Sequence, residues 1–199
     1  MSQQIIDIGT ANNSGDGEGL RPAFDKTNDN FTELYGSLLG FTRTYWFDAS
    51  DAATSTTPIT HGAGASGTYL TNDAAGANTN AYNPDSKSVL WNTSTNKFDF
   101  TSLKIGDTVE FRVDINLANA AAQEVDLFMS LAEGSAAPYE LNMNHSYYKT
   151  ASTSANNTVL FRIYIGNEIT RTGGARFRFD SIAAATIVVN GWFYQITQV

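Results

Sequence analysis

The chain holds two histidines, His61 and His145, and no cysteine. A Ser-His-Asp relay would need one of these rings held between a hydroxyl and a carboxylate. His145 lies in Asn144-His145-Ser146-Tyr147-Tyr148 and His61 in a Gly/Ala/Thr stretch, and neither setting reads as a buried, oriented base. Two histidines among scattered aspartates are a thin basis for zinc. The lack of cysteine removes thiolate metal sites, disulfides and a thiol nucleophile. Glycoside cleavage needs two carboxyls roughly 5–10 Å apart across a sugar groove. The pairs that could serve are Asp48 with Asp51 and Glu133 with Glu140. Polysaccharide-degrading spikes use elongated repeat scaffolds, and no repeat is present, so these read as solvated surface charge. No catalytic residue and no enzymatic activity are expected.

Gly62-Ala63-Gly64-Ala65-Ser66-Gly67 spells G-x-G-x-x-G. A dinucleotide site needs a strand before that motif and a helix after it. Pro58 precedes it and Tyr69-Leu70-Thr71 follows, so a flexible loop is expected and no cofactor. Asn12, Ser14, Asp16 and Glu18 offer oxygens at alternate positions, like the first half of a calcium loop, but the bidentate twelfth-position glutamate is missing. A turn whose side chains satisfy its own backbone is the expectation, with no metal. The polar aromatic run Pro138–Tyr148 is a candidate recognition loop, carried by Tyr139, Asn142, Asn144, His145, Tyr147 and Tyr148. Tyrosine rings give contact area and amides give adaptable hydrogen bonds. The same run also reads as a strand with its turn.

These residues need elements to position them. Charged residues are 16% of 199, hydrophobic residues 42%, and the net charge is −8. Low charge with abundant Asn, Thr, Ser and Ala suits an all-β protein with many polar turns. An acidic chain is a poor nucleic-acid ligand, because phosphate binding rests on clustered Lys and Arg. No apolar run approaches 18 residues, and MSQQIIDIG lacks the features of a signal peptide, so a soluble protein made in a cytoplasm is expected, without membrane insertion. Val109–Leu117 alternates apolar and polar over nine residues, and the period recurs at Val125–Leu131, Val159–Ile165, Arg176–Asp180 and Thr186–Val199, where Trp192, Tyr194 and Ile196 share a face. Phe41–Phe47 reads as a first strand, and residues 48–88 as long loops carrying short strands near 67–71 and 89–91. The fold expected is mainly β: an antiparallel β-sandwich, jelly-roll-like, over residues 41–199.

Residues 1–40 read as an extended arm and one short α-helix from Glu18 to about Leu39. Phe24, Phe31 and Leu38 are seven apart, and Leu20, Thr27, Leu34 and Phe41 form a second series of the same period. Together they give the two apolar positions of a coiled-coil seam. About two and a half heptads are present, so the stripe could join copies of the chain or pack on its own β-domain.

The residues Ile8-Gly9-Thr10, Gly15-Asp16-Gly17, Leu20-Arg21, Ala23-Phe24, Lys26, Asn28, Asn30-Phe31 and Glu33-Leu34-Tyr35 carry a resemblance. The segment resembles one that recurs near the start of tailed-bacteriophage fibre, tail and head-appendage proteins. Glu18-Gly19 and Pro22 depart from that pattern, and the likeness ends after about 30 residues. It implies a virion structural protein, assembled in the bacterial host cytoplasm and usually trimeric. A homotrimeric capsid decoration, head fibre or tail fibre would attach to other virion proteins through residues 1–40. Its seam would be Leu20, Phe24, Phe31, Leu34 and Leu38. A glycan-binding host-recognition module is the alternative, and a surface-polysaccharide hydrolase a more distant one.

Overall fold

In the computed structural model the alternating segments are strands, since burying every second side chain leaves the others to water. The structure describes residues 5–7, 10, 15–17, 19–39, 44–77 and 88–199. The chain divides into two compact units, Met1–Arg43 and Thr44–Val199, each described by itself.

In the first unit, α1 (Leu20–Leu39) is a helix of 20 residues, about 30 Å long. Pro22 stands in its first turn, where a missing N–H breaks no helical bond. The Ala23 N–H donates to Gly19 O at 3.1 Å and opens the helical ladder. Lys26 Nζ donates to Ile5 O at 3.1 Å, tying the arm to the helix. Asp16 accepts from the Thr10 amide at 3.2 Å and from its hydroxyl at 2.5 Å, so this carboxylate is folded onto its own loop. Ile8, Asn12, Ser14, Glu18 and Phe41 lie outside the described residues.

The second unit runs β1 (Thr44–Ser50), α2 (Ala53–Thr56), β2 (Ile59–His61), β3 (Thr68–Tyr69), β4 (Trp91–Asn92), β5 (Lys97–Phe98), β6 (Thr108–Asn119), β7 (Gln123–Leu131), β8 (Tyr139–Tyr148), β9 (Ser152–Tyr164), α3 (Glu168–Gly173), β10 (Ala175–Ser181) and β11 (Ala185–Thr197). One sheet has the order β1-β11-β6-β9, with β2 also on β11. The other has β4-β5-β10-β7-β8, with β3 also on β10. Every pairing is antiparallel. The expected antiparallel sandwich is therefore present. β1 pairs with β11, β5 with β10, β6 with β9 and β7 with β8. This is the nesting obtained when one long hairpin is rolled into two facing sheets, the order in which a jelly roll is wound.

The inner faces meet in one aromatic-rich core. Phe98 is its hub, with ring centroids of Trp91 at 4.8 Å, Phe111 at 5.0 Å, Phe177 at 5.3 Å and Tyr194 at 5.5 Å. The buried Tyr194 hydroxyl accepts the Leu90 and Trp91 amides at 3.1 and 3.3 Å, and burial pushes its ionisation well above the usual tyrosine range. In β11 the register shifts between Val189 and Gly191. This bulge puts Ile187 and Val189 inward before it and Trp192, Tyr194 and Ile196 inward after it, although the two sets differ in parity.

The short helix α3 ends in Gly173-Gly174, and Gly174 adopts φ 66°, ψ −162°, a region essentially restricted to glycine. A β-carbon there would strike the carbonyl of Phe98, the hub residue. Gly174→Ala is expected to cost about 2–4 kcal/mol from backbone strain and overpacking, measured as a shift of the urea midpoint at unchanged slope.

Candidate functional site

Two surfaces gather the residues singled out from the sequence. The first is the stripe on α1. Leu20 is 75% exposed, Phe24 59%, Phe31 53% and Leu34 50%. Four large apolar side chains thus share one helix face with more than half, or half, of their surface in water. Among the described residues nothing covers them enough to make them core. Leu38 lies on the last turn of α1, its side chain outside the described set.

The second surface is one side of the β-sandwich, where β8 and β9 follow one another in the chain and each ends its sheet. The candidate recognition residues lie on β8, a strand of 10 residues, and not on a loop. The polar composition of the run disguised it, because an edge strand with one solvated face needs few apolar residues. β8 pairs with β7, and Leu127 faces Asn144 while Phe128 faces Asn142, so Met143 is bulged out. The bulge reverses the strand's facing. Tyr139 pairs with the inward Leu131, and Asn144 and Tyr148 with the inward Leu127 and with Gln123, whereas Asn142, His145 and Tyr147 take the outer face. The six residues therefore do not form one recognition surface.

On the outer face Asp126 accepts from Asn142 Nδ2 at 2.7 Å and stands 2.9 Å from His145 Nδ1. The hydrogen bond it donates to Asp126, with the charges of Asp126 and Glu124, holds His145 above the ordinary histidine value. A histidine raised in the folded state adds stability that is complete below its unfolded value of about 6.5, and this is lost as pH rises through the folded value. An NMR titration is expected to find His145 above that unfolded value, and Asp126→Asn should bring it down. A titration at or below the ordinary value would rule out the pairing.

Beside this pair, Arg178 grips Glu140 at two points, Nε–Oε1 at 2.5 Å and Nη2–Oε2 at 2.7 Å, and lies 4.5 Å above the Phe128 ring. That bond holds the Glu140 carboxyl below the usual range, aided by a hydroxyl donated from Ser130 at 2.8 Å. The other carboxylates considered for glycoside cleavage are likewise engaged. Glu133 accepts the Tyr69 hydroxyl at 3.0 Å. Asp51 accepts the Thr54 amide at 2.7 Å and the Asp73 amide at 2.9 Å. Asp48 accepts the Ser50 hydroxyl at 3.4 Å.

His61 differs from its sequence reading, for it is fully buried at the end of β2 and firmly oriented. Its Nε2 is 3.0 Å from Ser181 O and its Nδ1 2.9 Å from Thr68 Oγ1. A carbonyl can only accept, so Nε2 carries the proton and Nδ1 accepts from the threonine hydroxyl. Both nitrogens are spent on joining the end of β2 to the start of β3 and to the end of β10. The glycine-rich motif is the turn between β2 and β3. Among the described residues no group of three or more His, Asp or Glu is placed to hold a metal ion.

Where the start of β8 meets the end of β9, a cleft of about 260 Å³ opens between Tyr139, Leu141, Arg162, Tyr164 and Asn167, with Leu131 in its lining. Arg162, Tyr164 and Asn167 were not singled out from the sequence. They lie some 20 residues from Tyr139–Leu141 along the chain and meet them only because β8 and β9 end neighbouring sheets. No signal local to either segment announces the meeting.

No protein-family model matches the chain, and no curated protein matches it. Among solved structures, one of the infectious bursal disease virus Gt strain aligns at 8% identity with a TM-score of 0.39, covering 78% of this chain and 33% of that one. One of the Gx strain aligns at 10% identity with a TM-score of 0.31, over 78% of this chain and 32% of that one. The chain spans about a third of the length of the chains it matches, and a likeness of this size says nothing of its role.

Proposed function

We propose that the chain is a structural, non-enzymatic component of a bacteriophage virion. It is a short homotrimeric appendage, a capsid decoration or head or tail fibre, held to other virion proteins by residues 1–40 and presenting its β-sandwich outward. The observation that carries this reading is the exposed stripe on α1, where Leu20, Phe24, Phe31 and Leu34 stand at seam spacing with half or more of each side chain in water. A helix of 20 residues does not keep such a face uncovered, because marginal helices draw most of their stability from packing it. Copies of the same helix can cover the stripe along its whole length. The resemblance of residues 5–35 to the phage appendage segment supports three copies and attachment to a particle. The net charge of −8 favours a protein partner over nucleic acid.

The test is the mass of the purified chain by size-exclusion chromatography with light scattering. A value near three times 21.5 kDa is expected. A monomer across the accessible concentration range would overturn the trimer and leave the stripe as a docking face for a different protein.

A further inference from the structure

The cleft between β8 and β9 sets aromatic and apolar surface beside hydrogen-bond donors. Tyr164 is 71% exposed, and its ring lies so near the Gly166 backbone that a β-carbon there would come within 2.6 Å of it. Glycine lets that ring lie against the backbone. A second lining ring, Tyr139, is tied through its hydroxyl, 2.9 Å from Thr170 Oγ1. Leu141, 37% exposed, adds apolar lining above the buried Leu131.

The free polar groups are almost all donors. Asn167 caps α3 by accepting the Thr170 amide at 2.8 Å, which leaves its Nδ2 group without a partner among the described residues. Arg162 gives Nε and Nη2 to Glu110, leaving Nη1. The Tyr164 hydroxyl is also unengaged among the described residues. Glu110 and Glu168 flank the cleft, paired with Arg162 and Arg171, so its surroundings do not favour an anion. A volume of about 260 Å³ is below that of pockets for drug-sized ligands and suits one ring.

We infer that this cleft binds a neutral N-acetylated sugar ring. The sugar's apolar face would lie on Tyr164, its acetamido carbonyl would accept from Asn167 Nδ2, and its methyl group would sit on Leu141. The inference is independent of the assembly reading, since every residue in it belongs to the β-sandwich.

The experiment is saturation-transfer NMR on the full chain, with N-acetylglucosamine, glucose and acetate as separate probes at about 10 mM, a range suited to weak millimolar binding. Transfer strongest at the acetyl methyl of N-acetylglucosamine, and weaker for glucose and acetate, is expected. Tyr164→Ala should weaken binding about fivefold or more, while Tyr164→Phe keeps the ring and most of the binding. Asn167→Asp keeps the oxygen that caps α3 but removes the two donors, and should cost about threefold or more. Its thermal melt, matched to that of the parent chain, separates lost binding from lost fold. No transfer to N-acetylglucosamine, equal transfer to acetate or glucose, or binding unchanged in both Tyr164→Ala and Asn167→Asp would overturn the assignment. The light-scattering mass is unaffected by any of these outcomes, so failure here and failure of the trimer are distinguishable.

Discussion

A chain carrying Phe24→Asp together with Phe31→Asp is expected to elute as a 21.5 kDa monomer with its β-sandwich intact. The two phenylalanines occupy one series of the seam, and each is more than half exposed in the single chain. Replacing them costs the monomer little. In the assembly the same change buries a carboxylate in an apolar seam, at a cost of several kcal/mol per group unless the charge is paired. In the seam register the flanking positions are Arg21, Asn28 and Tyr35 on one side and Ala23, Asn30 and Ser37 on the other, so Arg21 is the one cation at hand. Three copies would bring six aspartates together, and their mutual repulsion adds to the burial cost. Light scattering reads the mass, and circular dichroism with a thermal melt reads the sandwich. An unchanged oligomer would place the seam elsewhere than α1.

The largest loss of stability should come from Phe98→Ala. Phe98 is fully buried, yet it belongs to a strand of two residues joined to β10 through the single pair Ala175–Phe98. So little ladder does not hold β5 in place, and packing does. The ring touches Trp91, Phe111, Phe177, Trp192 and Tyr194, which come from both sheets. Truncating a buried phenylalanine costs about 3–5 kcal/mol, against a total stability of about 5–15 kcal/mol. A fall in the melting temperature of roughly 10 °C follows for a domain of this size. The oligomeric mass should not change while the variant is folded. A drop of only one or two degrees would mean that the ring is not the hub its contacts describe.

Strands whose two faces differ sharply were legible in the sequence. Val109 to Leu117 states its own burial, and β6 runs through it from Thr108 to Asn119. The first strand was expected at Phe41–Phe47; among the described residues it runs Thr44–Ser50, with Tyr45, Phe47 and Ala49 inward. β5 could not be read, since Lys97-Phe98 has no period to show and is held by residues distant in sequence. Pro138–Tyr148 read equally as a recognition loop or as a strand with its turn, because the bulge at Met143 breaks the alternation and an edge strand is polar on one side, and the strand reading is the one the structure bears out. The heptad spacing on α1 was visible, but spacing alone does not say whether the stripe is covered, and in the fold it is left exposed. The orientation of His61 depends on Thr68 and Ser181, seven and 120 residues away, so the local Gly/Ala/Thr context gave no hint of it.

The nested pairing also has a consequence in time. Thr44 and Thr197, opposite each other in the outermost pair, are 153 residues apart. Ribosomes add about 5–20 residues per second, so β1 waits roughly 8–30 s for its partner to be made. During that interval the apolar side chains of Tyr45 and Phe47 have no sheet to enter, while β7 and β8, adjacent in the chain, can pair as soon as they emerge. α1 is finished before any of this. If neighbouring nascent chains join through it, each copy still lacks the partner of its β1, and the β11 of another copy carries the same pairing edge. Order of synthesis, and not only final stability, then decides whether each copy closes on itself or exchanges its last strand.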